Sequence, residues 1–166
     1  MRIAQLREYD TANGEGIRVT IFISGCNIKC KGCFNKEYQS FEYGNILNDE
    51  MINKIIDLVN KPEISGLSIL GGEPLDQNPV ELGDFLREIK YNTNKSIWMW
   101  TGHNFETLDK YMSGIVHKYI DILIDGKFNI DERDLKLRFK GSKNQRIIDI
   151  QGTIKNNKIV ILEGDN

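Results

Sequence analysis

Outside one short stretch this chain has no cysteine at all: its three fall inside "SGCNIKCKGCFN", residues 24–35. A disulfide framework is thereby excluded, because bridges need pairs, and so are extra ferredoxin-like clusters, which would need thiolates of their own. Histidine is nearly as scarce, with only His103 and His117, so a closed zinc site has few places to find a fourth ligand. Excess charge of one sign is missing too. The net charge is −2, and nothing demands a nucleic acid as partner. The start, "MRIAQLREYD", has arginines and a glutamate where a secretory signal would be apolar, and the longest apolar stretch, around "VTIFISGC", is far too short to span a bilayer. There is no low-complexity segment and no internal repeat. These absences predict one cytoplasmic domain over residues 1–166, with no membrane partner, in a reducing compartment where clustered cysteines bind metal more often than they pair.

What is present alternates. "IRVTIFIS" (17–24), "LSIL" (67–70), "SIWMW" (96–100) and "YIDILID" (119–125) are rich in β-branched and aromatic residues, and each reads as a buried strand. Asn48 caps a helix with Asp49 and Glu50 in its first turn and Ile52, Ile55, Ile56 and Val59 at helical spacing. Asn78, Pro79 and Glu81 start another, whose apolar stripe is Leu82, Phe85, Leu86 and Ile89. A shorter helix is predicted over 105–112, using Phe105, Leu108 and Met112. Strands and helices in this order indicate parallel βαβ units and an α/β fold. Eight such units need about 250 residues, so an incomplete βα barrel or open, mostly parallel sheet is expected. A C-terminal β extension, a hairpin over 146–162, is predicted where "NN" separates two β-rich runs.

Each predicted parallel strand runs into a glycine-bearing polar loop: the cysteine loop, "GGEP" (71–74), "TGHN" (101–104) and "DGKF" (125–128). In parallel α/β architectures such loops converge at the carboxyl ends of the strands, where sites form. One site built from all four loops is the expectation.

Cys26, Cys30 and Cys33 are spaced C-x3-C-x2-C. Thiolates this close wrap a single compact centre. A four-iron cluster held by three cysteines keeps one iron open as a Lewis acid, zinc with a fourth ligand such as His103 is the alternative, and unligated core cysteines are the third.

The pattern C-x3-C-x2-C, the aromatic Phe34 directly after it, and "GGEP" after the next strand resemble the radical S-adenosylmethionine superfamily. "NGEGIR" (13–18), "IWMWTGHNFETL" (97–108), "DILIDGKF" (121–128) and "FKGSKNQRIIDI" (139–150) narrow the resemblance to the activating proteins of anaerobic ribonucleoside-triphosphate reductases. Glu15 and His103 depart from that pattern, which usually has proline and often tyrosine there. The resemblance implies a 4Fe-4S cluster on Cys26, Cys30 and Cys33, and S-adenosylmethionine chelated to its open iron. Gly32, Cys33 and Phe34 would lie against the cofactor, the Phe34 ring over its adenine, while Gly71, Gly72 and Glu73 hold its methionine end. One electron, from a donor such as flavodoxin or ferredoxin, would cleave the cofactor. The resulting 5′-deoxyadenosyl radical would take a hydrogen from a glycine of the partner reductase. Small radical enzymes of the carboxydeazaguanine-synthase kind share the cysteine loop and remain an alternative, as does a non-enzymatic metal-binding module. Gly14 and Gly16 shape the approach to the first predicted strand. Thr101, Asp125 and Lys127 fall on the predicted rim without an assigned role. The basic stretch 136–146 reads as a solvated loop, and Ser142, Asn144, Gln145 and Arg146 within it either dock the partner or close the sheet.

Overall fold

The structure, a computed structural model, describes residues 1–162. In chain order the elements are β1 (Arg2–Asp10), β2 (Ile17–Ile23), β3 (Asn45–Ile46), α1 (Asp49–Val59), β4 (Ile64–Gly71), α2 (Pro79–Asn92), β5 (Ser96–Trp100), α3 (Lys110–Tyr119), β6 (Ile122–Asp125), β7 (Arg146–Asp149), α4 (Ile150–Asn156) and β8 (Val160–Ile161). All eight strands join one open sheet in the order β3-β1-β2-β4-β5-β6-β7-β8. The neighbours β2–β4, β4–β5 and β5–β6 are parallel. The strands added outside them pair antiparallel.

The four parallel strands are the four anticipated, for a physical reason. Strands covered on both faces need apolar residues at nearly every position, and such runs stand out in a sequence. β5 shows both faces. Ile97 and Met99 enter the main core with the stripes of the helices, including Ile55 and Leu58 of α1, Phe85 and Ile89 of α2, and Met112 and Val116 of α3. Trp98 points the other way and packs with Ile124, Ile147 and Phe139. Asn48 and Asn78 cap α1 and α2 as predicted, accepting from Met51 N and from Val80 N and Glu81 N.

Two expectations need correction, and β1 and β3 add to the predicted strands. β1 was not anticipated: its register breaks twice against β2, and such bulges destroy the alternation that marks a strand. The helix placed over 105–112 is a 3-10 turn at Phe105–Thr107 followed by α3, which starts later because the Asp109 side chain accepts from Tyr111 N and Met112 N. The terminal hairpin over 146–162 is interrupted by a helix. β7 and β8 do pair, Ile148 with Ile161, but Asp149 caps Gly152 N and starts α4 between them, and Asn157, left-handed at φ 48°, ends it.

At the amino ends of the parallel strands, opposite the cysteine loop, lies Arg18, only 1% exposed. Its guanidinium donates to Ser68 Oγ (2.7 Å), Leu67 O (2.8 Å) and Ser96 O (3.0 Å), and stacks over Trp98 at 5.2 Å. Burial lowers its pKa to about 10, so it stays charged at neutral pH. It ties β2, β4 and β5 together, and a Cβ on Gly66 would stand 2.7 Å from it. Arg18→Met leaves buried carbonyls without this donor and is expected to cost about 2 kcal/mol, seen as a lower urea midpoint at unchanged slope. Arg18→Lys lacks the planar fork and is expected not to restore it. An unchanged midpoint for Arg18→Met would show that the arginine stabilises nothing.

Candidate metal centre

The loops that follow β2, β4, β5 and β6 meet around one cavity of about 200 Å³. Its wall includes Cys26, Cys30 and Cys33 with Phe34 from the first loop, Gly71, Gly72 and Glu73 from the second, Thr101 and Gly102 from the third, and Gly126 and Phe128 from the fourth. Gly141 and Gln145 complete it from the segment before β7. Gly32 is not part of this wall; it packs beside it, where a Cβ would stand 2.9 Å from Ile130.

The cysteine loop is fixed by the turn after β4. Gly72 N donates to Ile23 O at 2.6 Å and Glu73 N to Gly25 O at 2.7 Å. The buried Gln77 side chain donates to Ser24 O and to Glu73 O, both at 3.1 Å. Asn27 N, next to Cys26, donates to Asp76 Oδ2 at 2.6 Å. From the other side Gly25 N reaches Tyr38 O at 2.7 Å and Cys26 N reaches Gln39 O at 3.1 Å. A Cβ on Gly72 would lie 2.4 Å from Gly25 O and 2.6 Å from Tyr38 O, so this closeness requires glycine.

Glu73 is 1% exposed. Its carboxylate accepts from Thr101 Oγ1 (2.7 Å), Gly102 N (2.7 Å) and Leu75 N (3.0 Å). Burial raises its pKa, and these donors oppose the rise. Thr101 is thereby spent on joining the second loop to the third. His103 Nε2 lies 2.9 Å from Asp76 Oδ1, which joins the third loop to the clamp on the first. Burial pushes the thiols of Cys26 and Cys30 upward; backbone hydrogen bonds at Lys29 and Ile28 oppose this for Cys26, and the Phe128 backbone and the Lys127 charge do so for Cys30.

The polar side chains of 142–146 fold their own segment. Ser142 Oγ accepts from Asn129 N, Asn144 Nδ2 donates to Lys127 O, and Gln145 joins Gly126 O to the amides of Gly141 and Ser142. Arg146 binds buried Asp125 and forks onto Glu106. Ser142, Asn144 and Gln145 thus tie the segment to the loop after β6, and Arg146 alone joins two strands, β7 to β6. Lys127 is exposed at the rim. Asp76 and Gln77 were missed by sequence reasoning. Their only signal is position, directly after "GGEP", since their partners lie about fifty residues away in the chain.

Three thiols on the wall of one cavity suit a group broad enough to touch all three. A single zinc ion needs its ligands about 2.3 Å from one point; among the described residues no three of His, Cys, Asp and Glu, these cysteines included, are gathered around one ion. His103, the candidate fourth ligand, is not on the cavity wall, and its Nε2 meets Asp76 Oδ1 at 2.9 Å, so only Nδ1 could bind a metal.

Residues 12–148 match a family model described as a 4Fe-4S single cluster domain. The chain is similar to the anaerobic ribonucleoside-triphosphate reductase-activating protein of Haemophilus influenzae, with 41% identity over 89% of this chain and 97% of that one. The protein of the same name from Escherichia coli K12 is 36% identical over 87% and 96%. The one from Enterobacteria phage T4 is 35% identical over 83% and 87%.

Two outcomes test this geometry. Gly72→Ala forces backbone apart and is expected to cost about 1–3 kcal/mol and to speed alkylation of Cys26 in the cluster-free protein; unchanged stability and reactivity would contradict the clamp. Secondly, the Arg146 hydrogen bonds hold Glu106 at a pKa of about 2, below its ordinary 4.5. A depressed carboxylate stabilises the fold fully above its unfolded pKa, and that share disappears as pH falls through about 2. Glu106→Gln is therefore expected to flatten the fall of melting temperature with pH in this window. Parallel melting curves for variant and wild type would show that the pair contributes nothing.

Proposed function

The chain belongs to the family of anaerobic ribonucleoside-triphosphate reductase-activating proteins, and from that membership we propose that Cys26, Cys30 and Cys33 hold one 4Fe-4S cluster with S-adenosylmethionine on its open iron. The observation that carries the reading is the shared cavity, where Cys26, Cys30 and Cys33 line one space with Gly71, Gly72 and Glu73. When bound, the cluster would supply one electron for the reductive cleavage of S-adenosylmethionine, the chemistry by which a glycine of the reductase would be converted to its radical. This makes the chain a radical S-adenosylmethionine enzyme, a glycyl-radical activase.

The residues of this chain position and shield. The raised thiols of Cys26 and Cys30 must lose their protons on loading, so cluster uptake is favoured by higher pH. Gly71, at φ 123°, and Gly72 bring bare backbone to the cavity, where carbonyls suit the ammonium group of the cofactor. Glu73 acts at one remove, since its carboxylate is committed to Thr101, Gly102 and Leu75. Phe34, 61% exposed, is tilted against Phe128 at 5.3 Å with Arg133 4.9 Å over its ring; the face away from Arg133 would meet adenine, with Gly32 and Cys33 beside it. We read the open sheet as an incomplete βα barrel, whose missing wall the reductase would supply. The electron donor would be a protein such as flavodoxin or ferredoxin, and the setting the cytoplasm. Among the described residues no helix is long and apolar enough to cross a membrane.

Anaerobic reconstitution is expected to load about four irons per chain. Cys26→Ala, Cys30→Ala and Cys33→Ala are each expected to lose the intact cluster. S-adenosylmethionine should change the electron paramagnetic resonance spectrum of the reduced protein. Stoichiometric zinc without any cluster, or a spectrum indifferent to S-adenosylmethionine, would contradict the proposal.

A further inference from the structure

The cysteine loop has two faces. Cys26, Ile28, Cys30, Cys33, Phe34 and Asn35 line the cavity, whereas Lys29, Lys31 and Lys36 are exposed and lie outside that lining. Residues 27–36 contain three lysines and no acid, in a chain whose net charge is −2. None of the three has a carboxylate partner among the described residues. The fourth loop repeats the pattern: Gly126 and Phe128 line the cavity, and the exposed Lys127 between them does not. The two loops touch, with Arg133 4.9 Å over the Phe34 ring. Lys29 is held in the left-handed conformation at φ 48°, a strained state for lysine that fixes where its side chain leaves the loop.

We propose that this cationic outer face, centred on Lys29, Lys31 and Lys36, docks a small acidic one-electron carrier protein. The inference rests on the cluster reading above. Electrons and substrate would then reach the same centre from different sides. A target glycine has to enter through the cavity, where none of these lysines lines the wall. A carrier needs only to come close to the cysteines from outside and bears no group that must enter. Its redox centre gives up one electron and the cluster accepts it, with no bond made or broken. Like-signed unpaired charge on a short, rigid loop steers an oppositely charged partner, accelerating encounter by about 10–1000-fold at low ionic strength. Acids border the patch, with Glu37 exposed beside Lys36 and Asp131 exposed after Ile130, while Glu132 accepts from Asn129 and Asp134 faces Lys143, so the three lysines set the charge at its centre and not at its edge.

The test uses an acidic flavodoxin as probe and the triple variant Lys29→Asn, Lys31→Gln, Lys36→Gln, with asparagine at 29 because it tolerates the left-handed conformation. In calorimetric titrations of oxidised flavodoxin into cluster-free protein, the wild type should bind with an affinity that falls as salt rises. The triple variant should bind at least about tenfold more weakly, with a flatter salt dependence. After reconstitution, iron content should match the wild type. Reduction by flavodoxin should slow at least about tenfold, while reduction by neutral photoreduced deazaflavin stays the same. Equal flavodoxin affinity and reduction rate in variant and wild type would overturn the docking surface alone. Loss of glycyl radical formation by the deazaflavin-reduced variant would assign the face to the reductase and also overturn it. A wild type that takes up no iron would overturn the cluster reading and this inference with it.

Discussion

The amides of Gly72 and Glu73 reach across to Ile23 O and Gly25 O at 2.6 and 2.7 Å, and these bonds form only because residue 72 has no side chain. They weld the turn after β4 to the start of the cysteine loop. Gln77 and Asp76 extend the weld to Ser24 and Asn27, so that the first cysteine is held between two backbones. Cys26 then sits buried at the end of β2, and Cys30 and Cys33 follow on a loop whose inward residues share its cavity. Without this contact the three thiols would belong to a flexible loop, and their common cavity would have no fixed wall.

The same economy runs through the rest of the rim. Glu73 is a carboxylate buried next to a proposed cofactor site, yet it spends its lone pairs on Thr101, Gly102 and Leu75. Asp125 is spent on Arg146 and Phe105 N. Glu73, Thr101 and Gln145 on the cavity wall thus hold loops in place, and the rest of the wall is mostly thiols, glycines and apolar side chains. That division suits a site whose chemistry is supplied by a bound group, where the protein's share is orientation and shelter.

Much of the frame was legible in the sequence because it obeys local rules. Doubly covered strands read as apolar runs, and Asn48 and Asn78 announce their helices by side-chain caps. The cysteine spacing and "GGEP" point to one site, since strand order places their loops together. The failures share a cause as well. β1 is bulged, so its alternation is broken. Asp109 and Asp149 are caps that look like interior residues until the backbone amides they accept from are known. Asp76 and Gln77 look like ordinary turn residues, because their partners come from 49 and 53 positions earlier. Glu73 reads in the sequence as a residue at the methionine end of the cofactor; its burial shows only with the third loop in place, where Thr101 and Gly102 donate to it.

A cavity of this kind, open beside an exposed Phe34, makes sense if the hydrogen donor is part of another folded protein. The measurement that tests this most directly is electron paramagnetic resonance on an anaerobic mixture of the reduced, cluster-loaded chain, S-adenosylmethionine and a cognate anaerobic reductase. The account predicts a glycyl-radical doublet on the reductase, absent when either the reductase or S-adenosylmethionine is left out. Cleavage of S-adenosylmethionine in the full mixture with no glycyl radical on the reductase would contradict it.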